Sequence, residues 1–218
     1  MLRRRGERDF LIALDNRVLM TSVAHRSEQA LAEYACRALS QASRPRVLLG
    51  GLGMAYTLRA ALDRLPAGAR VVVCEIEPSV VRWCRGPLAV LTASAVEDPR
   101  VEVRTEDVAA AIARAAEPRT PGFDAIALDL FEGPRGTRSE AQHPLYGDAA
   151  LARMRRALEP GGTLALWSEE AARGFERRVA AAGFGLEVRR VGGAGRRHVV
   201  YGLRPRSDSL AGKARRRP

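Results

Sequence analysis

An apolar run that breaks into glycines, Val47-Leu48-Leu49-Gly50-Gly51-Leu52-Gly53-Met54-Ala55, is followed by a second apolar run closing on a carboxylate, Val71-Val72-Val73-Cys74-Glu75. A buried strand, a glycine turn, a helix and a second strand with an acid at its end is a parallel βαβ unit. Glycines allow a backbone to approach a ligand closely, and a carboxylate about twenty residues further on accepts hydrogen bonds from ribose hydroxyls. The pair predicts half of a nucleoside site and points to an adenosine-type cofactor.

At 218 residues and 46% hydrophobic content the chain fits one α/β domain with a sizeable core. It holds no run of about eighteen apolar residues, and Met1-Leu2-Arg3-Arg4-Arg5-Gly6-Glu7 lacks the apolar stretch of a signal peptide. No membrane association is expected, and a cytoplasmic location is. Cys36, Cys74 and Cys84 lack metal-ligand spacing, and Cys74 inside an apolar strand reads as a small hydrophobe, so no metal is expected. The excess of 36 basic over 25 acidic residues could serve a polyanion. Its densest runs, Arg3-Arg4-Arg5 and Arg215-Arg216-Arg217, lie at the termini and read as solvated ends, and no basic-aromatic interleaving occurs. Nucleic acid is not the expected partner.

Residues 8–20 read as a β-hairpin around Asp15-Asn16-Arg17. Ser27-Glu28 then starts a helix whose apolar face is Ala30, Leu31, Tyr34, Ala35 and Ala38, ending before Ser43-Arg44-Pro45. Beyond it strands at 46–49, 70–75, 101–104, 124–129, 163–167, 186–191 and 198–203 alternate with helices at 55–64, 78–85, 108–115, 148–158 and 169–182. That alternation predicts a seven-stranded, mostly parallel α/β sheet with helices on both faces. Pro160-Gly161-Gly162 reads as the turn before the fifth strand, and Gly192-Gly193-Ala194-Gly195 as the hairpin joining the last two. The expected organisation is an amino-terminal hairpin extension (1–26), a Rossmann-like nucleoside-binding domain (27–204) and a basic tail (205–218).

In such sheets ligands bind beyond the carboxyl ends of the strands, where the strand order reverses. Four ends carry polar chemistry. Gly50, Gly51 and Gly53 offer backbone amides at a helix start, a plain turn being the competing reading. Glu75, with Ile76 beside it and Glu77-Pro78 opening the next helix, stands where a ribose diol would sit. Glu106-Asp107 precedes a helix that Asp107 could simply cap. Asp129-Leu130-Phe131-Glu132 closes an otherwise apolar strand, so Asp129 can take a proton from an attacking amine or hydroxyl or hold a cation, with Glu132 second. Leu130, Phe131, Tyr146 and Trp167 are candidate walls of an acceptor pocket, although they serve equally as core. A dinucleotide site fails at Tyr56, too large for the third glycine position. No lysine follows the glycines as in a phosphate loop, and His25, His143 and His198 suggest no catalytic triad.

At these residues the chain resembles the spermidine synthase-like branch of the class I S-adenosylmethionine-dependent methyltransferase fold. The likeness runs from about Leu14 to Leu203 through Leu14-Asp15-Asn16 with Ser27-Glu28, the glycine loop, Glu75-Ile76-Glu77, Glu106-Asp107, Phe123-Asp124-Ala125-Ile126-Ala127-Leu128-Asp129, Pro144-Leu145-Tyr146 and Leu158-Glu159-Pro160-Gly161-Gly162. The resemblance implies that Glu75 binds the ribose, that Asp107 lies by the adenine and that Asp129 faces the acceptor; a homodimer is one assembly it implies. The departures concern the amine side. The family's Gly-Gly-Gly-Asp-Gly loop reads Gly50-Gly51-Leu52-Gly53-Met54; the glutamine after its first hairpin is replaced by Leu19 or Met20; its Tyr-His pair is Leu31-Ala32; its Asp-Ser-Ser-Asp-Pro loop is Asp129-Leu130-Phe131-Glu132-Gly133.

The expectation from the sequence is therefore a transferase using S-adenosylmethionine, carrying a methyl group to a small-molecule acceptor with Asp129 as base or anchor. The alternatives are an aminopropyltransferase using decarboxylated S-adenosylmethionine and a noncatalytic binding module that keeps the fold. A nucleic-acid methyltransferase lacks its usual asparagine-proline or cysteine motif here.

Overall fold

The computed structural model describes residues 1–14, 17–131, 133–134, 141–192 and 197–206. The predicted hairpin turn at Asp15-Asn16, the second candidate acid Glu132, the connection at Gly193-Ala194-Gly195 and the tail from 207 lie outside the described residues.

The amino-terminal region holds three antiparallel strands, β1 (Leu2–Arg4), β2 (Phe10–Leu14) and β3 (Arg17–Thr21), rather than the two of the predicted hairpin. The arginine run read as a solvated end is in part this extra strand. An edge strand needs only its backbone to pair, and Leu2, Arg3 and Arg4 lie opposite Ile12, Leu11 and Phe10, leaving the guanidinium groups in solvent.

The main sheet contains β4 (Arg46–Gly50), β5 (Arg70–Cys74), β6 (Val101–Arg104), β7 (Phe123–Leu128), β8 (Leu158–Ser168), β9 (Phe184–Val191) and β10 (His198–Pro205). Their order is β6-β5-β4-β7-β8-β10-β9, and all run parallel except β10, which pairs antiparallel with both β8 and β9. The order reverses between β4 and β7, which places the crevice beyond their carboxyl ends.

Side chains alternate across the sheet with period two, and the two cores follow from that. Val47, Leu49, Val71, Val73, Ala125 and Ala127 face α1 (Arg26–Cys36), α2 (Tyr56–Leu62), α3 (Pro78–Arg85) and α4 (Ala89–Thr92). Leu48, Val72, Ile126, Leu128, Leu164 and Leu166 face α5 (Val108–Ala115), α6 (Asp148–Ala157) and α7 (Arg173–Ala181). Strands buried on both faces are why these segments read as unbroken apolar runs.

Three boundaries differ from the sequence expectation. Pro160-Gly161-Gly162 is a bulge inside the long β8: Phe123 pairs with Leu158 and Ala125 already with Thr163, with Gly161 at φ 80. The chain after α3 adds the short α4 and a single helical turn at Ala95–Glu97, neither of which was expected. Helix α7 starts at Arg173, four residues late, because the Ala172 amide donates to the buried Tyr201 hydroxyl and Ser168 Oγ donates to Glu170 O at 2.7 Å. Tyr201→Phe should therefore leave the Ala172 amide unpaired in the core and lower stability by about 1–3 kcal/mol in denaturant titration. An unchanged midpoint would remove the hydroxyl from this role.

Tyr34 of α1 packs against β10, its ring filling the space that a side chain at Gly202 would need. Burial pushes the thiols of Cys36, Cys74 and Cys84 up to about 12, and none lies in a disulfide; Cys74 packs in the core as the small hydrophobe its strand predicted.

Candidate functional site

A cleft of about 500 Å³ opens at the switch point. One side is lined by Gly51, Gly53, Glu75, Ile76, Glu106 and Asp107, and the other by Ile12, Leu19, Met20, Glu28, Asp129 and Leu130, with Phe131, Leu145 and Trp167 completing that wall.

Glu75 is fixed before any ligand arrives. The Leu52 amide donates to Oε2 at 2.9 Å and the Glu77 amide donates to Oε1 at 2.9 Å, while the side chain is only 9% exposed. Each oxygen retains a further lone pair, so the carboxylate can accept from two vicinal hydroxyls without moving. Ile76 beside it is 65% exposed and presents an apolar face over the cleft mouth, where a flat base can rest.

The glycine loop works by shape. Gly51 adopts φ 88, and the space beside its Cα is taken by the Asp129 carbonyl oxygen, so only glycine fits there. Its amide donates to Cys74 O at 2.8 Å, so it does not face a ligand as the sequence expectation had it, and the neighbouring Leu52 amide is spent on Glu75. Gly50 is likewise corrected. It is buried at the end of β4, where a Cβ would come within 2.7 Å of Leu128, and it does not line the cleft. The turn ends on Ala55 at φ 63, a left-handed conformation for a residue with a side chain.

Asp107 caps α5, accepting from the Ala109 amide at 2.8 Å, and still lines the cleft. Glu106 also lines it, but both its oxygens accept from Arg114 Nη2, at 2.6 and 2.7 Å. Both acids therefore carry a structural duty alongside any contact with a base.

Asp129 sits at the cleft floor, its amide held by Gly50 O at 2.8 Å and its Oδ2 accepting from the buried Thr57 hydroxyl. Burial pushes its carboxyl up to about 7, the negative charge of Glu28 adds to the rise, and the Thr57 hydrogen bond opposes it. A carboxylate poised near neutrality is suited to exchanging a proton with a bound amine.

Leu130 and Phe131 line the cleft. Phe131 is half exposed, with the Arg17 guanidinium 4.8 Å over its ring, so the amino-terminal sheet and the loop after β7 meet across the rim. Tyr146 does not line it: it is buried under the sheet, stacked on His143 and edge-on to Phe175. Its neighbour Leu145 takes the wall position instead.

Glu28 and Thr57 were missed. Glu28 reads as a helix-starting acid, yet it stands in register with Leu31, Ala32 and Ala35 at the i+3, i+4 and i+7 spacing of a buried stripe. An acid in phase with an apolar face was the available signal. Thr57 had none, because its partner lies 72 residues away.

A mostly parallel sheet with this reversal, a glycine loop and an acid after the second strand of the unit define a Rossmann-like α/β domain with the methyltransferase-type fold. The sequence profile of the spermine/spermidine synthase domain matches residues 39–173, and the chain belongs to that family. Polyamine aminopropyltransferases from Mycobacterium tuberculosis and Mycobacterium bovis are 33% identical over 127 residues, covering 58% of this chain and 23% of theirs. The chain thus spans under a quarter of the length of these curated relatives. Among solved structures, spermidine synthase from Thermotoga maritima superposes with a TM-score of 0.69 at 18% identity, covering 89% of this chain and 65% of that one. Human methyltransferase-like protein 13 in complex with SAH superposes with a TM-score of 0.60 at 20% identity, covering 84% and 81%. These likenesses establish the fold. No helix among the described residues is long and apolar enough to cross a membrane.

Proposed function

We propose that this domain transfers an aminopropyl group from decarboxylated S-adenosylmethionine to an amine, in place of the methyl transfer expected from sequence. The observation that carries the reading is the placement of Asp129: a half-buried carboxylate held by Thr57, facing a cleft whose opposite side holds the prearranged Glu75. Membership in the spermine/spermidine synthase domain family and the curated aminopropyltransferase relatives support it.

The residues fit an adenosyl donor. Glu75 offers free lone pairs to a ribose diol, Ile76 an apolar surface to a base, and Gly51 a backbone free of side chain. When bound, the donor supplies a carbon made electrophilic by a sulfonium. Asp129 accepts a proton from the incoming ammonium, leaving a neutral nitrogen whose lone pair forms the new N–C bond. The C–S bond breaks with its electron pair left on sulfur, and the proton on Asp129 passes to water. Alignment of the two reactants supplies the remaining rate.

One observation favours methyl transfer as the second reading. Gly53 stands where the family's loop carries an aspartate, and the Met20 sulfur lies 3.0 Å from the place a side chain there would occupy, so apolar packing replaces an acid near the donor. Calorimetric titration with decarboxylated and carboxylated S-adenosylmethionine separates the readings. Tighter binding of the decarboxylated form is expected. Preference for the carboxylated form would return the site to methyl transfer, and binding of neither would leave a noncatalytic module.

A further inference from the structure

Asp129 is held by the glycine turn and the helix after it. Its amide donates to Gly50 O at 2.8 Å, and its carbonyl oxygen fills the space that a side chain at Gly51 would need. Its Oδ2 accepts from the hydroxyl of Thr57, in the first turn of α2. The same segment ties down the acid across the cleft, because the Leu52 amide donates to Glu75 at 2.9 Å. Residues 50–57 therefore anchor both Glu75 and Asp129.

With the main chain of Asp129 pinned at its amide and its carbonyl, the freedom that remains is rotation of its side chain. Thr57 removes it. Thr57 is 3% exposed, its β-branched side chain has few rotamers of its own, and Tyr56 beside it donates from its hydroxyl to Ser22 O at 2.9 Å. A threonine in a helix commonly spends its hydroxyl on a carbonyl three or four residues earlier. Thr57 spends it instead on a carboxylate 72 residues away that lines the cleft. Thr57 does not itself line the cleft, so it acts through Asp129.

A hydrogen bond donated to a carboxylate favours its charged form, whereas burial and the charge of Glu28 on α1 favour the neutral one. Of the other charged groups described around the cleft, Glu75 and Glu77 lie between β5 and α3, Glu106 and Asp107 between β6 and α5, and Arg17 at the rim over Phe131.

Resting on the aminopropyl-transfer reading, we infer that Thr57 is the positioning residue of the proton acceptor: its hydroxyl fixes the orientation of the Asp129 carboxylate and favours the charged form that takes the proton of the amine. Deleting the hydroxyl frees the side chain to turn and removes a donor that favours charge, so both properties are lost together.

The test follows the Asp129 carboxyl carbon by NMR through a pH titration of the full chain without ligand, its signal assigned as the one missing from Asp129→Asn. The wild type is compared with Thr57→Val, which keeps the shape and deletes the hydroxyl, and with Thr57→Ser, which keeps the hydroxyl. The valine variant should titrate about one pH unit above the wild type, and the serine variant should return close to it. With decarboxylated S-adenosylmethionine and putrescine, the rise of turnover with pH should move upward by the same amount in the valine variant. Its plateau should fall by about tenfold, while methylthioadenosine affinity stays the same. A wild-type midpoint or an unchanged plateau in Thr57→Val, or a serine variant displaced as far as the valine one, overturns the inference and leaves the transfer reading standing. If the wild type itself gives no turnover, the transfer reading fails, and the titration still decides whether Thr57 governs the proton on Asp129. Melting temperatures establish that each variant folds, and Thr57→Ala takes the place of the valine variant if that one does not.

Discussion

Asp129→Asn is expected to lower turnover by about 10²–10⁴-fold while leaving donor affinity nearly unchanged, because the amide keeps the acceptor for Thr57 but cannot take a proton. With the carboxyl pushed up to about 7 by burial and by Glu28, wild-type turnover should rise as pH climbs through about 7 and then level, and the variant's residual activity should lack that limb. Stability runs the other way. Between the ordinary 3.8 and about 7 the folded protein holds a proton that the unfolded chain releases, so raising pH through this window destabilises the fold. The asparagine variant escapes that loss. Above pH 7 it should be the more stable protein, by on the order of a few kcal/mol, with the gap closing toward pH 4. A variant that loses donor affinity as severely as turnover would move Asp129 from proton acceptor to donor-binding group.

The second large effect is expected at Glu75. Glu75→Ala removes the acceptor of two backbone donors, the Leu52 and Glu77 amides, together with the groups offered to ribose. Donor affinity should fall by roughly 100-fold, and stability by about 1–3 kcal/mol, since the Leu52 amide is left buried without a partner. Glu75→Gln should lose affinity while keeping most of the stability, because one oxygen still accepts. If the alanine variant bound adenosyl ligands as tightly as the wild type, the ribose assignment would be wrong and Glu75 would be purely a brace for the glycine loop.

Much of this architecture is legible in one sequence because a parallel sheet covered on both faces writes itself as apolar runs of strand length. Val71-Val72-Val73-Cys74 and Phe123 to Leu128 were placed within one residue of their observed ends for that reason. That Gly51, Gly53, Glu75, Ile76, Glu106 and Asp107 come together at one cleft was legible too, since glycines and acids at strand ends occupy stereotyped positions. Three kinds of information were not. Backbone pairing at an edge leaves no apolar trace, so β1 hid inside an arginine run. A bulge and a turn look alike in sequence, so Pro160-Gly161-Gly162 was taken for a connection. Contacts distant in the chain are invisible, which is why Thr57 beneath Asp129 went unseen and why Tyr146 was placed on the wrong side of its backbone.

The seating of Tyr34 over Gly202 bears on motion. With the tyrosine ring lodged where every other residue would put a side chain, α1 is indexed against β10 and cannot slide along it or tilt away without first emptying that notch. The helix bearing Glu28 and the sheet whose strands lead into Glu75 and Asp129 therefore fluctuate as one body. Amide hydrogens in the middle of α1 should exchange only when the whole sheet opens, at the slow rate of β4, and ligand should leave that rate ordering intact.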